Sequence, residues 1–269
     1  MSSDIKILKP EDIKQNLISF FKNNSLVPIV GSGFTCGLNA FNGIVPNGYE
    51  YKQHMINELM TEDFSEQEKE EITVANFSTL CDFYEDDENV PPEVRRNYLK
   101  SNFYKVTMPQ EDIRSSFFNI KWPYIYTLNI DDAIENSSSF KKVILPNQEF
   151  NDEIFLDEKC VIKLHGDIGD IVTYKKSGKI FTSKEYALSL DKNAPLLNKL
   201  RNDYKTQNIL FIGCSLDDEI DLKTLSTWPF DHKEKDTLSC RIAFIKGYPS
   251  KLQKSKYKIY GITDIVCFD

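Results

Sequence analysis

Seven short apolar runs constrain this chain more than any other feature: SLVPIV, PYIYTLN, KKVILP, KCVIKLHG, QNILFIGCS, CRIAFIKG and the closing DIVCF. Each is about strand length, rich in β-branched and aromatic residues, and none alternates apolar with polar positions. A strand covered on one face alternates, whereas a strand covered on both faces does not. The pattern therefore predicts a mostly parallel sheet with helices on each side, a doubly wound, Rossmann-like α/β architecture.

The segments between the runs complete that expectation. KPED, with Pro10 in the first turn and carboxylates at the positive end, predicts a helix as the first element, its residues Leu17, Ile18, Phe20 and Phe21 turned toward the sheet. From about Tyr49 to Phe118 no comparable strand occurs, and the acidic stretches TEDFSEQEKEE and YEDDENVPPE sit in helix-like apolar spacing. This reads as a helical insertion, about 49–118, in a single domain spanning 1–269. The turn signals in GDIGDIVTYKKSGKIF suggest a short hairpin.

Composition removes several function classes. A hydrophobic share of 41% and an aromatic share of 12% exclude a largely disordered chain, and 269 residues suffice for one generous domain. The formal charge of −8 opposes phosphate backbones, so no direct binding of duplex nucleic acid is expected. No apolar stretch approaches the ~20 residues that span a bilayer, and the opening MSSDIKILKPEDIK is too charged for a signal peptide, so a cytoplasmic protein is expected. The six cysteines, Cys36, Cys81, Cys160, Cys214, Cys240 and Cys267, form no C-x-x-C pair, and free, mostly buried thiols without a metal are expected.

Ligands of open α/β sheets bind beyond the carboxyl ends of the strands, so the residues that follow each run are the candidates. Gly31-Ser32-Gly33-Phe34-Thr35 follows the first run; its glycines permit a sharp turn and a close backbone approach to a pyrophosphate, though a Gly-x-Gly is also an ordinary turn. Asn129 offers a donor and an acceptor, suited to ribose hydroxyls, a carboxamide or a positioned water, and Asp131 adds an acceptor; the same stretch also suits a helix cap. His165, beside Gly166, suits general base work near neutrality or plain packing. In ILFIGCSLDDEI, Gly213 permits close approach and Ser215 can bond a phosphate or ribose, while Asp217 and Asp218 either serve there or cap a helix.

In order and placement, IVGSGFT, YTLNID, KLHGD and FIGCSLDD resemble the four signatures of the sirtuin family. The resemblance implies NAD bound across a Rossmann-type sheet and cleavage of its nicotinamide–ribose bond. Carried over, Gly31, Ser32, Gly33 and Thr35 would hold the phosphates, Asn129 would face the ribose and the attacking group, and Asp131 the carboxamide. His165 would be the base, with Gly213 and Ser215 beside the adenosine. The interval from the His-Gly pair to the Gly-x-Ser turn holds no cysteine before Cys214, so the four-cysteine zinc module of sirtuin deacylases is missing. In the place of the family's arginine-containing stretch stands NGIVPNGYEY, with Gly43 and Pro46 as its only suggestive matches.

The resemblance is therefore to the zinc-free, sirtuin-like branch of bacterial anti-phage systems. It implies an NAD glycohydrolase that depletes NAD on activation, with no cofactor beyond NAD as substrate and no metal. It also implies a homo-oligomer or a partner subunit controlling activation, or else that the chain is the amino-terminal piece of a longer protein. Competing expectations are a deacylase or ADP-ribosyltransferase, which shares the cleavage, and a non-catalytic nucleotide-binding subunit.

Overall fold

The computed structural model describes residues 4–60, 64–146, 148, 151, 153–154, 158–173, 179–216, 222–223 and 239–269. The chain opens on a short strand, β1 (Lys6–Leu8), followed by α1 (Pro10–Lys22), β2 (Leu26–Val30) and the one-turn helix α2 (Ser32–Thr35). Four helices come next, α3 (Gly48–Leu59), α4 (Glu66–Val74), α5 (Phe77–Asp86) and α6 (Pro92–Phe103), with a 3-10 segment at Ile113–Asn119. Then follow β3 (Tyr124–Thr127), α7 (Ala133–Ser137), β4 (Lys142–Ile144), β5 (Cys160–Lys163), α8 (Ile168–Val172), α9 (Ser183–Lys192) and α10 (Ala194–Thr206). The described chain closes with β6 (Asn208–Ile212), β7 (Arg241–Lys246), α11 (Lys251–Ile259) and β8 (Asp264–Phe268).

The strands form one sheet in the order β1-β8-β7-β6-β2-β3-β5-β4, and every neighbouring pair is parallel. Burial explains why the sequence reads as unbroken apolar runs. On β3, Ile125 packs into one core with Leu26 and Val30 of β2 and the helices before β3, while Tyr124 and Tyr126 pack into the other with Leu200 and Tyr204 of α10. Each face is covered, so neither set of side chains can be polar.

From β2 the chain runs to β3, on to the edge strand β4 and back to β5 between them, then crosses to β6 on the other side of β2. This reversal opens a crevice at the carboxyl end of β2, where open sheets bind ligands. Register aligns what lies there: Val30 pairs with both Thr127 and Ile212, and Thr127 pairs with Lys163. Because side chains repeat every two residues along a strand, positions two beyond Thr127 and Lys163 keep to the same face. Those positions are Asn129 and His165.

Three expectations need correction. The first element is not the helix but β1, a three-residue edge strand that pairs with β8 and is too short and exposed to carry a burial signature. The segment after Gly166 is not a hairpin in its described part: Asp167 caps α8 by accepting from Gly169 N–H, and a lone Gly166–Lys179 bridge closes the loop. The six cysteines are free, but only Cys81 and Cys160 are buried. Asp217 and Asp218 lie outside the described residues. No helix among the described residues is long and apolar enough to cross a membrane.

Candidate functional site

A cavity of about 650 Å³ opens where the ends of β2, β3, β5 and β6 meet the helices that precede β3. Its floor is made by two strand-end turns in backbone contact. Gly31 N–H donates to Ile212 O and Gly33 N–H to Gly213 O, both at 2.9 Å. A Cβ on Gly213 would stand 2.3 Å from Phe34 N, and its φ of +66° is the left-handed region that glycine favours. The glycines are therefore there to let the turns touch. Since the N–H groups of Gly31, Gly33 and Phe34 are bonded within the protein, those three amides are not donors for a phosphate.

Asn129 is buried, and its amide hydrogens are both used: Nδ2 donates to Gly31 O at 3.1 Å and to Thr35 Oγ1 at 3.0 Å. The reverse amide orientation would set Oδ1 against a carbonyl oxygen, so the network fixes the assignment. What the amide offers a ligand is its acceptor, Oδ1. Asn129 is not a helix cap: Asp132 precedes α7, and Asp131 Oδ1 accepts from Ala133 N–H at 3.1 Å. Asp132 itself anchors the chain before the 3-10 segment by accepting from Lys105 and Val106 N–H at 2.9 and 2.7 Å.

Thr35 passes the network on, donating from Oγ1 to Asp131 Oδ2 at 2.7 Å. Burial raises the Asp131 carboxyl pKa, against the opposing influences of the Lys163 charge and the donors on Thr35 and Ala133. His165 is 4% exposed, and its Nε2 faces the Tyr186 hydroxyl at 3.5 Å.

The cavity thus gathers Ser32, Gly33, Thr35, Asn129, Asp131, His165, Gly213 and Ser215 from four distant segments. Gly31 is the exception: it lies behind the floor and contributes its carbonyl to Asn129. Of the opposite wall, the sequence points only to Pro46. Pro46 and Asn47 precede α3, Tyr51 lies in it, Phe77 begins α5, Phe181 enters α9 and Tyr186 lies within it. Asn47 carried a local signal that was missed, the Asn-x-x-Glu capping box in which its side chain accepts from Glu50 N–H at 2.9 Å.

Arg114 was also missed. It props the glycine turn from outside the cavity, donating from Nη1 to Phe34 O at 3.0 Å and to Cys36 O at 2.9 Å. Hydrogen bonds from the Arg114 side chain and backbone N–H hold the Asp112 carboxyl down at about 2. Among the described residues no group of three or more His, Cys, Asp or Glu is placed to hold a metal ion.

The family model of the SIR2-like domain matches residues 123–265, from the start of β3 into β8. The match includes Asn129, Asp131, His165, Gly213 and Ser215, and leaves the glycine turn and the helices after it outside. A search of curated proteins finds no match. With more than half of its residues covered by that model, the chain belongs to the SIR2-like domain family, a membership that fits an NAD-utilising function.

Proposed function

We propose that the chain is an NAD glycohydrolase, releasing nicotinamide and ADP-ribose. The observation that carries this reading is that Asn129 and His165 line the same cavity, each two residues past an aligned pair on neighbouring strands. Cleavage of the glycosidic bond passes through an oxocarbenium-like state. Nicotinamide departs neutral with the bonding electrons, so no acid is needed on the leaving group. Asn129 Oδ1 accepts from the attacking water or a ribose hydroxyl, and His165 takes the proton that the water loses. Water's oxygen bonds to the anomeric carbon, and the released proton leaves from His165. No step calls on a metal.

The cellular role that fits is depletion of NAD in the bacterial cytoplasm during phage infection. Unrestrained hydrolysis would poison the host, so activity is held back until self-association or a partner protein releases it. The test incubates the purified chain with NAD and follows nicotinamide and ADP-ribose, with and without an acyl-lysine peptide. Asn129→Ala and His165→Ala are each expected to lower turnover by about 10²–10⁴-fold while leaving a cooperative melt. Unchanged turnover in both variants would remove the reading, and consumption of NAD only with the peptide would move it to deacylation.

A further inference from the structure

Lys163 ends β5 with its side chain fully buried, and it does not line the cavity. Its Nζ donates to the carbonyl of Asp131 at 2.7 Å and of Ile130 at 3.4 Å, contacts Asp167 Oδ2, and lies 2.6 Å from Glu135 Oε1. Burial acts to lower its pKa, and the two carboxylates more than offset that, so it is pushed up to about 12. For Glu135 burial prevails instead and raises the carboxyl pKa; its Oε2 has no hydrogen-bond partner among the described residues. The two directions differ because the ammonium has two carboxylates beside it, while Glu135 has one cation and the Asp167 charge against it. An ammonium so held is charged.

The bonds of Lys163 reach two turns at once. The carbonyls of residues 130 and 131 belong to the turn that carries Asn129 and Asp131, whereas Asp167 belongs to the turn that carries His165. Ile168 N–H donates to Ile130 O at 2.8 Å and ties the same two turns a second time. An apolar side chain at the end of β5 would fill the volume and bond neither turn.

We propose that Lys163 is a positioning residue: its buried ammonium clamps the Asn129–Asp131 turn to the His165–Asp167 turn and so sets the spacing of the two groups that flank the ligand. This rests on the functional reading above. The clamp also bears on Asp131, whose charged neighbours are Lys163 and Asp132. Lys163 opposes the effect of burial there. Its removal lets the Asp131 carboxyl hold its proton to higher pH.

Lys163→Met alone strands two partly buried carboxylates, so the deciding variant of the full chain is Lys163→Met with Glu135→Gln. It is expected to melt cooperatively, yet to exchange amide hydrogens in 129–132 and 165–168 at least about tenfold faster, with 26–30 and 208–212 unchanged. Its kcat for nicotinamide release should fall about tenfold or more with KM within about threefold. Glu135→Gln alone, which keeps the Asp131 and Asp167 contacts, should retain most of the rate. Should the double variant not fold, Asp167→Asn decides: it keeps the cap on Gly169 N–H, loses the ion pair, and should speed exchange in both turns. Wild-type exchange in both turns, in either folded variant, overturns the clamp. If the wild type releases no nicotinamide, the functional reading falls, and the exchange measurement still decides the clamp.

Discussion

The floor and the roof of the cavity are built by opposite means. On the floor, backbone touches backbone: Gly31 and Gly33 bond Ile212 and Gly213 directly, and the Asn129 amide is committed to Gly31 and Thr35. On the roof, aromatic rings meet one another. Tyr51 stacks on Tyr98 at 5.5 Å between centroids and meets Phe77, Phe103 and Phe181 at 5.8 to 6.1 Å. Directional bonds tolerate little displacement, while ring packing is broad in angle and distance. Under the proposed function, the floor is where reacting atoms would be held, and the roof is where the shape of the ligand would be judged.

The comparison breaks most visibly at Gly213. An alanine there meets Phe34 N at 2.3 Å and keeps a strained φ of +66°, so Gly213→Ala is expected to cost about 2–4 kcal/mol in denaturant unfolding. Gly37 has a similar φ of +81° with no atom of the described residues within 4 Å of its would-be Cβ, and Gly37→Ala should cost only about 1 kcal/mol. Equal losses would mean that backbone strain alone, not the contact of the two turns, sets the demand for glycine.

A smaller effect belongs to the roof. Phe181 is 8% exposed and packs edge-on against Phe77 at 5.5 Å, so Phe181→Leu should lose about 1–2 kcal/mol of stability. If the roof judges shape, this variant raises the KM for NAD while kcat stays within about twofold. A fall in kcat with KM unchanged would place Phe181 with the floor.

The same division explains what could be read in advance. Strands β2, β3, β5 and β6 are buried on both faces, which forces apolar runs, and the polar residues that interrupt them at their ends stand out for that reason. His165 and Asn129 were legible on this ground. The roof was not, because Tyr51, Phe77 and Phe181 look like any helix-borne or loop aromatic in a core, and only the packing of distant helices turns them toward one space. Lys163 falls between: a lysine closing the run CVIK is a visible anomaly, but its partners Glu135 and Asp167 emerge only with the register of β3 and β5. The cap reading for Asn129 failed because the following helix starts three residues later than the motif suggested, at Ala133, which hands the cap-like bond to Asp131.

Floor and roof touch at Tyr186, whose hydroxyl on α9 faces His165 Nε2 at 3.5 Å with the rings edge to face. Tyr186→Phe keeps the ring and removes the hydroxyl, so packing persists and stability should change by less than about 1 kcal/mol. A phenol able to donate or accept can steady the imidazole in the tautomer that takes a proton from water. The expected result is a kcat for nicotinamide release lowered about threefold to tenfold, with KM for NAD unchanged. That outcome would give the roof one share in the chemistry through a single atom. An unaltered kcat would leave the chemistry wholly to the strand ends and reduce Tyr186 to a wall.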